Sequence, residues 1–135
     1  MIIVSWKRCE NQEWLALDRV RPSSAYGSGV YVVWNAGANA RVVCLGQGSI
    51  AAELERIKGD ARVLALKSRG ALLVTWATVS AARVDGVERY LAETWPPLID
   101  QARTDAKALE VNSPAWLRPF PDEGIAAAAC VQAAS

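Results

Sequence analysis

The pattern of apolar and polar positions predicts three strands in the central part of the chain. Residues 29–34 and 41–45 are runs rich in β-branched and aromatic side chains, separated by an Asn- and Gly-containing turn at 35–39. Two such runs around a turn are typical of an antiparallel hairpin. Residues 71–77 form a third run of this kind. We therefore expect a small sheet that contains this hairpin.

Helical spacing of apolar residues predicts helices after the hairpin. Ile50, Leu54 and Ile57 recur at i, i+4 and i+7 behind Ser49, a residue suited to an N-cap. A second helix is expected to start at Asp85 and to stop before a pair of prolines. Its apolar residues are Val87, Tyr90, Leu91 and Trp95. A third helix is predicted over residues 99–110.

The order of these elements predicts an α+β domain with a small, mainly antiparallel three-stranded sheet flanked by helices. Residues 1–27 form an N-terminal strand over 1–8 and a lead-in, in which 14–17 fit either a short helix or irregular structure. The core covers residues 28–110. Residues 111–135 contain three prolines and then an Ala-rich, uncharged run, so we expect an extension and a loosely ordered tail.

Composition is that of a globular protein. The chain has 135 residues, of which 52% are hydrophobic and 21% charged. No apolar run approaches the ~20 residues that span a bilayer, so we expect no membrane association. The N-terminus lacks a basic start, a long apolar stretch and a small-residue cleavage site, and we therefore expect a cytoplasmic protein.

Residue types that are missing exclude several kinds of active site. Histidine is absent, which removes Ser-His-Asp and Cys-His nucleophiles and histidine-bound metals. The cysteines Cys9, Cys44 and Cys130 are odd in number and lack CxxC spacing, which argues against a disulfide framework and a structural zinc site. Hydrolysis would have to use carboxylates, tyrosine, arginine, lysine or a bound metal.

Charge is uneven along a chain whose net charge is +1. One stretch carries five basic residues interrupted by a single acid, Asp60: Arg56, Lys58, Arg62, Lys67 and Arg69. This stretch is either a solvated basic loop or a surface that faces phosphates. The six tryptophans are expected to be mostly core residues, and an exposed one beside the basic stretch would indicate base stacking.

Three short segments occur in a fixed order: Gly29-Val30-Tyr31, Cys44-Leu45-Gly46, and Glu88 followed by Pro97 and Asp100. This order resembles the GIY-YIG nuclease domain over about residues 28–100. The resemblance implies a metal-dependent endonuclease fold that acts on DNA phosphodiesters. It also implies that Glu88 holds Mg²⁺ or Mn²⁺, and that Tyr31 positions or deprotonates the attacking water. A phenol needs a nearby cation to serve as a base.

The remaining candidate residues come from the same segments and from the basic stretch. Gly46, Lys58 and Asp100 are the candidate substrate-binding residues. Arg56 is the third candidate catalytic residue, beside Tyr31 and Glu88.

The chain departs from the family pattern at two functional positions. Cys44 replaces the second tyrosine, and a cysteine cannot reproduce the reach of a phenol. Alignment of the following helix puts Glu53 where the family has an arginine that clamps the phosphate. Arg56, one turn later, could reach back to replace it or could pair with Glu53 at i, i+3.

Three hypotheses remain open. The chain is a catalytically degenerate GIY-YIG-like domain retained to bind nucleic acid or a protein, an active magnesium-dependent endonuclease, or an unrelated α+β interaction module. The two altered positions and the near-neutral charge favour the first. The retained Tyr31 and Glu88 keep the second open.

Overall fold

The computed structural model describes residues 1–9, 13–21, 25, 27–37, 40–99 and 105–114. An antiparallel sheet of four strands in the order β1-β4-β2-β3 lies at its centre. The strands are β1 (Leu15–Ala16), β2 (Ser28–Asn35), β3 (Arg41–Ser49) and β4 (Leu72–Thr78). The expected α+β class is confirmed, and the sheet has one very short strand beyond the three that were expected.

Helices cover both faces of the sheet. They are α1 (Ile50–Lys58), α2 (Ala61–Ala65), which continues into a 3₁₀ turn at Leu66–Arg69, and α3 (Val84–Thr94). One face packs against α1 and α2 through Ile50, Leu54, Ile57 and Val63. The other face packs against α3 through Val87, Leu91 and Ala92. We call these the α1 face and the α3 face.

The central strand β2 contributes to both cores because its side chains alternate between the faces. Val30, Val32 and Trp34 pack on the α3 face, whereas Tyr31 and Val33 pack on the α1 face. Burial on both sides explains why β2 is a continuous apolar run and does not alternate with polar residues. The predicted hairpin is present, with β3 continuing past Leu45 to Ser49.

The N-terminus differs from expectation. In place of a strand over residues 1–8, the structure has a single parallel bridge between Ile2 and Val111. The side chain of Asn112 accepts a hydrogen bond from the amide of Val4 at 2.6 Å and donates one to its carbonyl at 3.0 Å. The indole of Trp6 donates to the Asn112 carbonyl at 2.7 Å. The Asn112 side chain thus makes the pair of hydrogen bonds to Val4 that a residue of a neighbouring strand would make.

Residues 14–17 are neither the short helix nor the irregular lead-in that was expected. Leu15 and Ala16 pair with Val74 and Leu73 of β4. The Leu17 amide extends this pairing by donating to the carbonyl of Leu72 at 2.9 Å.

The predicted start of α1 is confirmed, and two other helix predictions are wrong. Ser49 occupies the N-cap position of α1 but makes no side-chain capping bond. The N-cap of α3 is Arg83, and Asp85 lies in its first turn. The described part of the third predicted helix, residues 105–110, is not helical. Residues 100–104 and 115–135, which include most of the predicted tail, lie outside the described residues.

Two further findings concern cysteine and membrane association. Cys9 is disulfide-bonded, so the argument against disulfides from the odd cysteine count does not hold for this residue. Cys44 is a free, buried thiol. Among the described residues, no helix has both the length and the apolar character needed to cross a membrane.

Candidate functional site

Tyr31 and Gly46 face each other across the β2–β3 pair. Tyr31 is fully buried on the α1 face. A β-carbon added to Gly46 would lie 2.5 Å from the Tyr31 hydroxyl oxygen, well inside van der Waals contact. The phenol therefore reaches its position because residue 46 has no side chain. The segments Gly29-Val30-Tyr31 and Cys44-Leu45-Gly46 thus form one structural unit.

The Tyr31 hydroxyl belongs to a closed cluster with two residues of α1. It donates a hydrogen bond to Glu53 Oε1 at 3.1 Å and accepts one from Arg56 Nη2 at 3.0 Å. Arg56 Nη2 also lies 3.1 Å from Glu53 Oε1 in an i, i+3 ion pair. Of the two expected arrangements, Arg56 has the ion pair with Glu53, and it also donates to the Tyr31 hydroxyl. We call these three residues the Tyr31 cluster.

Burial determines the protonation of Tyr31. Removal from water raises the pKa of this phenol above its usual value, and the nearby Cys44 and Glu53 raise it further. The Arg56 guanidinium acts in the opposite direction but does not compensate. Tyr31 is therefore a protonated hydrogen-bond donor at neutral pH and is poorly suited to act as a general base.

Cys44 is the residue that the resemblance aligns with a second tyrosine. Its side chain is buried on the α1 face, and burial raises the pKa of the thiol to about 12. A neutral buried thiol behaves as a small hydrophobic side chain. Cys44 therefore contributes packing at this position.

Glu88 lies on the opposite side of the sheet. Its Oε1 accepts a hydrogen bond from Gln47 Nε2 at 3.1 Å, and the same amide donates to the Asp85 carboxylate. Gln47 pairs with Val30, which packs on the α3 face. Cross-strand partners project to the same face. Gln47 and Glu88 are thus on the α3 face, whereas the Tyr31 cluster is on the α1 face.

The residues around Glu88 can be compared with the needs of a magnesium ion. Mg²⁺ binds through one or two carboxylates and keeps several waters. Asp85 and Glu88 are carboxylates of the type that would hold the ion, and the Gln47 amide donates a hydrogen bond to each of them. Within the described ranges, no group of three or more Cys, Asp or Glu side chains converges as a metal site.

The candidate substrate-binding residues have separate locations. Lys58 ends α1 and donates from Nζ to the carbonyl of Val20 at 2.6 Å, so it ties the turn after β1 to the helix. Gly46 is buried beneath Tyr31. Asp100 lies outside the described residues. Of the predicted residues, the structure brings together Tyr31, Arg56 and Gly46.

The rest of the basic stretch lies on α2 and its 3₁₀ extension. Arg62 forms an ion pair with Asp60 at 2.9 Å, and this hydrogen bonding lowers the pKa of Asp60 to about 2. Arg62 remains 63% exposed. Arg69 is also exposed, and in the described part of the chain it has no ion pair. Both arginines line an open depression of about 460 Å³ whose floor includes Leu98 and Ile99.

Among the described residues, no aromatic side chain lines this depression. The tryptophans in the described ranges are buried or half-buried: Trp6, Trp14, Trp34, Trp76 and Trp95. Trp116 lies outside those ranges. Most of the tryptophans thus have the core role that was expected.

Two residues of these clusters were not identified from sequence. Gln47 joins Asp85 to Glu88, and the sequence pattern predicts only a helix-capping role for Asp85. The register of the hairpin would have identified Gln47. It pairs with Val30, whereas its neighbour Gly46 pairs with Tyr31, so the Gln47 side chain points to the face opposite Tyr31. No family model, curated protein or solved structure matches the chain, and the resemblance to the GIY-YIG family therefore stays a prediction.

Proposed function

We propose that this chain is a GIY-YIG-like domain without nuclease activity that binds nucleic acid through the depression between Arg62 and Arg69. The proposed absence of nuclease activity rests on the separation of Tyr31 from Glu88. A water-orienting group and a metal ligand must act on one phosphate, within hydrogen-bond or one-water reach of each other. Here they bond to different partners on opposite faces of the sheet.

The state of Tyr31 supports the same conclusion. Its hydroxyl is buried, and Glu53 and Arg56 take up its hydrogen bonds. A phosphate that approached Arg56 would also meet the carboxylate of Glu53, which would repel it. An enzyme that loses one group preorganised to stabilise charge in the transition state typically reacts about 10²- to 10³-fold more slowly. The Tyr31 cluster thus has the properties of a structural element.

Charge supports nucleic acid as the partner. The segment from Arg56 to Arg69 carries five basic residues and one acid, although the net charge of the chain is only +1. Arg62 and Arg69 flank a single open depression, and guanidinium groups bind phosphate oxygens in a bidentate manner. Such contacts are made to the sugar-phosphate backbone of the nucleic acid, so we expect binding with little dependence on base sequence.

The test is a salt titration of binding to a fluorescent DNA duplex, followed by anisotropy. Arg69→Gln should weaken binding about threefold to tenfold and reduce the salt slope by about 1, as expected for one lost phosphate contact. Arg83→Gln makes the same change of charge at the start of α3 and serves as the control. Equal, salt-dependent binding of all three proteins would contradict the assignment of the depression as the binding site. No salt-dependent binding of any of them would contradict the nucleic-acid proposal and favour a protein partner.

The non-catalytic part has its own test. Supercoiled plasmid is incubated with the protein and Mg²⁺ or Mn²⁺, beside Glu88→Ala and Tyr31→Phe. We expect no nicking by the wild-type protein above the level of the two variants. Metal-dependent nicking that disappears in Glu88→Ala would establish an active endonuclease and would contradict the proposal, whatever the anisotropy shows.

A further inference from the structure

A second cavity is lined by other residues of α2 and its 3₁₀ turn, Leu64 and Lys67. It has a volume of about 390 Å³ and is enclosed by the turn after β1, the end of α1, α2 with its 3₁₀ turn, and the start of β4. This volume lies within the range of about 300–1,000 Å³ that is usual for small-molecule sites. Neither the Tyr31 cluster nor the depression between Arg62 and Arg69 contributes a residue to it.

The walls of this cavity are mainly apolar. Leu17 and Leu72 are buried parts of the α1-face core, and Leu64 of α2 stands at the rim with 40% of its surface exposed. In the described ranges, the other large exposed hydrophobic residues are Met1 and Ile3, at the N-terminus. Leu64 is therefore an exposed apolar side chain placed beside a cavity, where a ligand would cover it.

Charged groups are placed on the same cavity. Lys58, Lys67 and Asp18 are among its lining residues, so basic side chains outnumber acidic ones there. The bond from Lys58 Nζ to the Val20 carbonyl holds this side chain in place and uses one of its three protons. Lys67 is exposed and, in the part of the chain that the structure describes, has no ion pair. Both lysines can thus donate to an anion.

We propose that this cavity binds a small molecule with an aliphatic body and a single anionic head group. The leucines would cover the aliphatic body, and Lys58 and Lys67 would bind the head group. The head group is either a carboxylate or a phosphate, since both accept hydrogen bonds from ammonium groups. The cavity shares no lining residue with the depression between Arg62 and Arg69, although Lys58 and Lys67 belong to the same basic stretch.

The test compares three probes of one chain length by isothermal titration calorimetry: octanoate, octyl phosphate and 1-octanol. We expect saturable binding of one anion per chain, with octanol binding at least about threefold more weakly. Preference for octanoate or for octyl phosphate then identifies the head group. Octanol that binds as tightly as both anions, or no saturable binding of any probe, would overturn the proposal.

Variants at exposed positions locate the site without disturbing the core. Lys67→Gln should weaken binding of the preferred anion about threefold to tenfold, as expected for the loss of one charged hydrogen bond at a partly exposed site. It should leave octanol binding unchanged. Leu64→Ser should weaken all three probes. Lys107→Gln, an exposed lysine outside the cavity, is the control. An effect of Lys107→Gln equal to that of Lys67→Gln would overturn the assignment of the site.

Discussion

The hydroxyl of Tyr31 lies directly over Gly46, its partner on the neighbouring strand. This relationship joins two segments that are 15 residues apart in the sequence into one packing unit. It also directs the phenol toward Glu53 and Arg56 of α1. A glycine in a strand interior usually weakens the strand unless another group approaches closely. Here the approaching group is an aromatic side chain.

Gly46→Ala should therefore destabilise the protein. The new β-carbon would lie 2.5 Å from the Tyr31 hydroxyl oxygen and 2.8 Å from the ring carbon that bears it. Relief requires movement of a fully buried ring, and overpacking of this kind costs about 1–3 kcal/mol. Urea unfolding measures the change. Gly59→Ala is the control, because its β-carbon would meet its nearest neighbour at 3.8 Å. Equal stability of the two variants would contradict the proposed steric role of Gly46.

Cys44 should make the stability depend on pH in the alkaline range. In the unfolded chain the thiol loses its proton around its usual pKa of 9.0, whereas burial raises the pKa in the folded protein to about 12. Between these values the folded state binds more protons, so the free energy of unfolding falls as the pH rises. Below about pH 9 both states are protonated and the effect is absent.

Cys44→Val removes this titration and keeps an apolar side chain of similar size. Urea unfolding at several pH values from 8 to 11 should show a shallower decline for the variant. The difference in slope should approach about 1.4 kcal/mol per pH unit, the value for one proton. Parallel declines for the two proteins would show that the Cys44 thiol is not protected from ionisation.

Glu53→Gln should strengthen nucleic-acid binding. The substitution removes a negative charge that would repel phosphate and weakens the hold on Arg56, whose side chain is 47% exposed. We expect affinity to rise about threefold to tenfold and the salt slope to increase by about 1. Anisotropy with a labelled duplex measures both quantities. Glu93→Gln makes the same change of charge in the ion pair with Arg89 on α3 and is the control. A gain of the same size in the control would mean that net charge alone explains the effect.

Asn112→Ala should loosen the N-terminal segment. The Asn112 side chain bonds both the amide and the carbonyl of Val4, and loss of partners for partly buried backbone groups costs about 1–3 kcal/mol. Urea unfolding should show this loss, and hydrogen exchange at the Val4 amide should become faster. Ser113→Ala at the neighbouring position is the control. Unchanged exchange at Val4 would contradict the role assigned to Asn112.

Elements with a strong local pattern could be predicted from the sequence. The hairpin, α1, β4 and α3 each carry their own periodicity, and their positions agree with expectation to within a few residues. The ion pair between Glu53 and Arg56 was also open to prediction, because i, i+3 residues are neighbours on any helix. Its extension to Tyr31 depends on how α1 packs against β2, which local spacing does not determine.

Elements defined by distant contacts were misjudged. Leu15 and Ala16 are a strand only because β4, more than 50 residues later, pairs with them. The segment around Val4 has strand-like composition but is paired by the Asn112 side chain. The same limit applies to Glu88. Its position in the sequence fits the resemblance. Whether Glu88 lies near Tyr31 depends on which face of the sheet α3 covers, and the order of elements in the sequence does not determine that face.

One feature of the sheet affects how copies of the protein behave toward each other. The amides of Leu98 and Ile99 bond the carbonyls of Val42 and Val43, directly after the proline pair at 96–97. An uncovered edge strand is a template for pairing with another chain, and proline blunts such edges because it lacks an N–H group. The short segment after α3 therefore protects the first half of β3 from intermolecular sheet growth. A substitution that detached this segment from β3 would favour aggregation while the core is still folded.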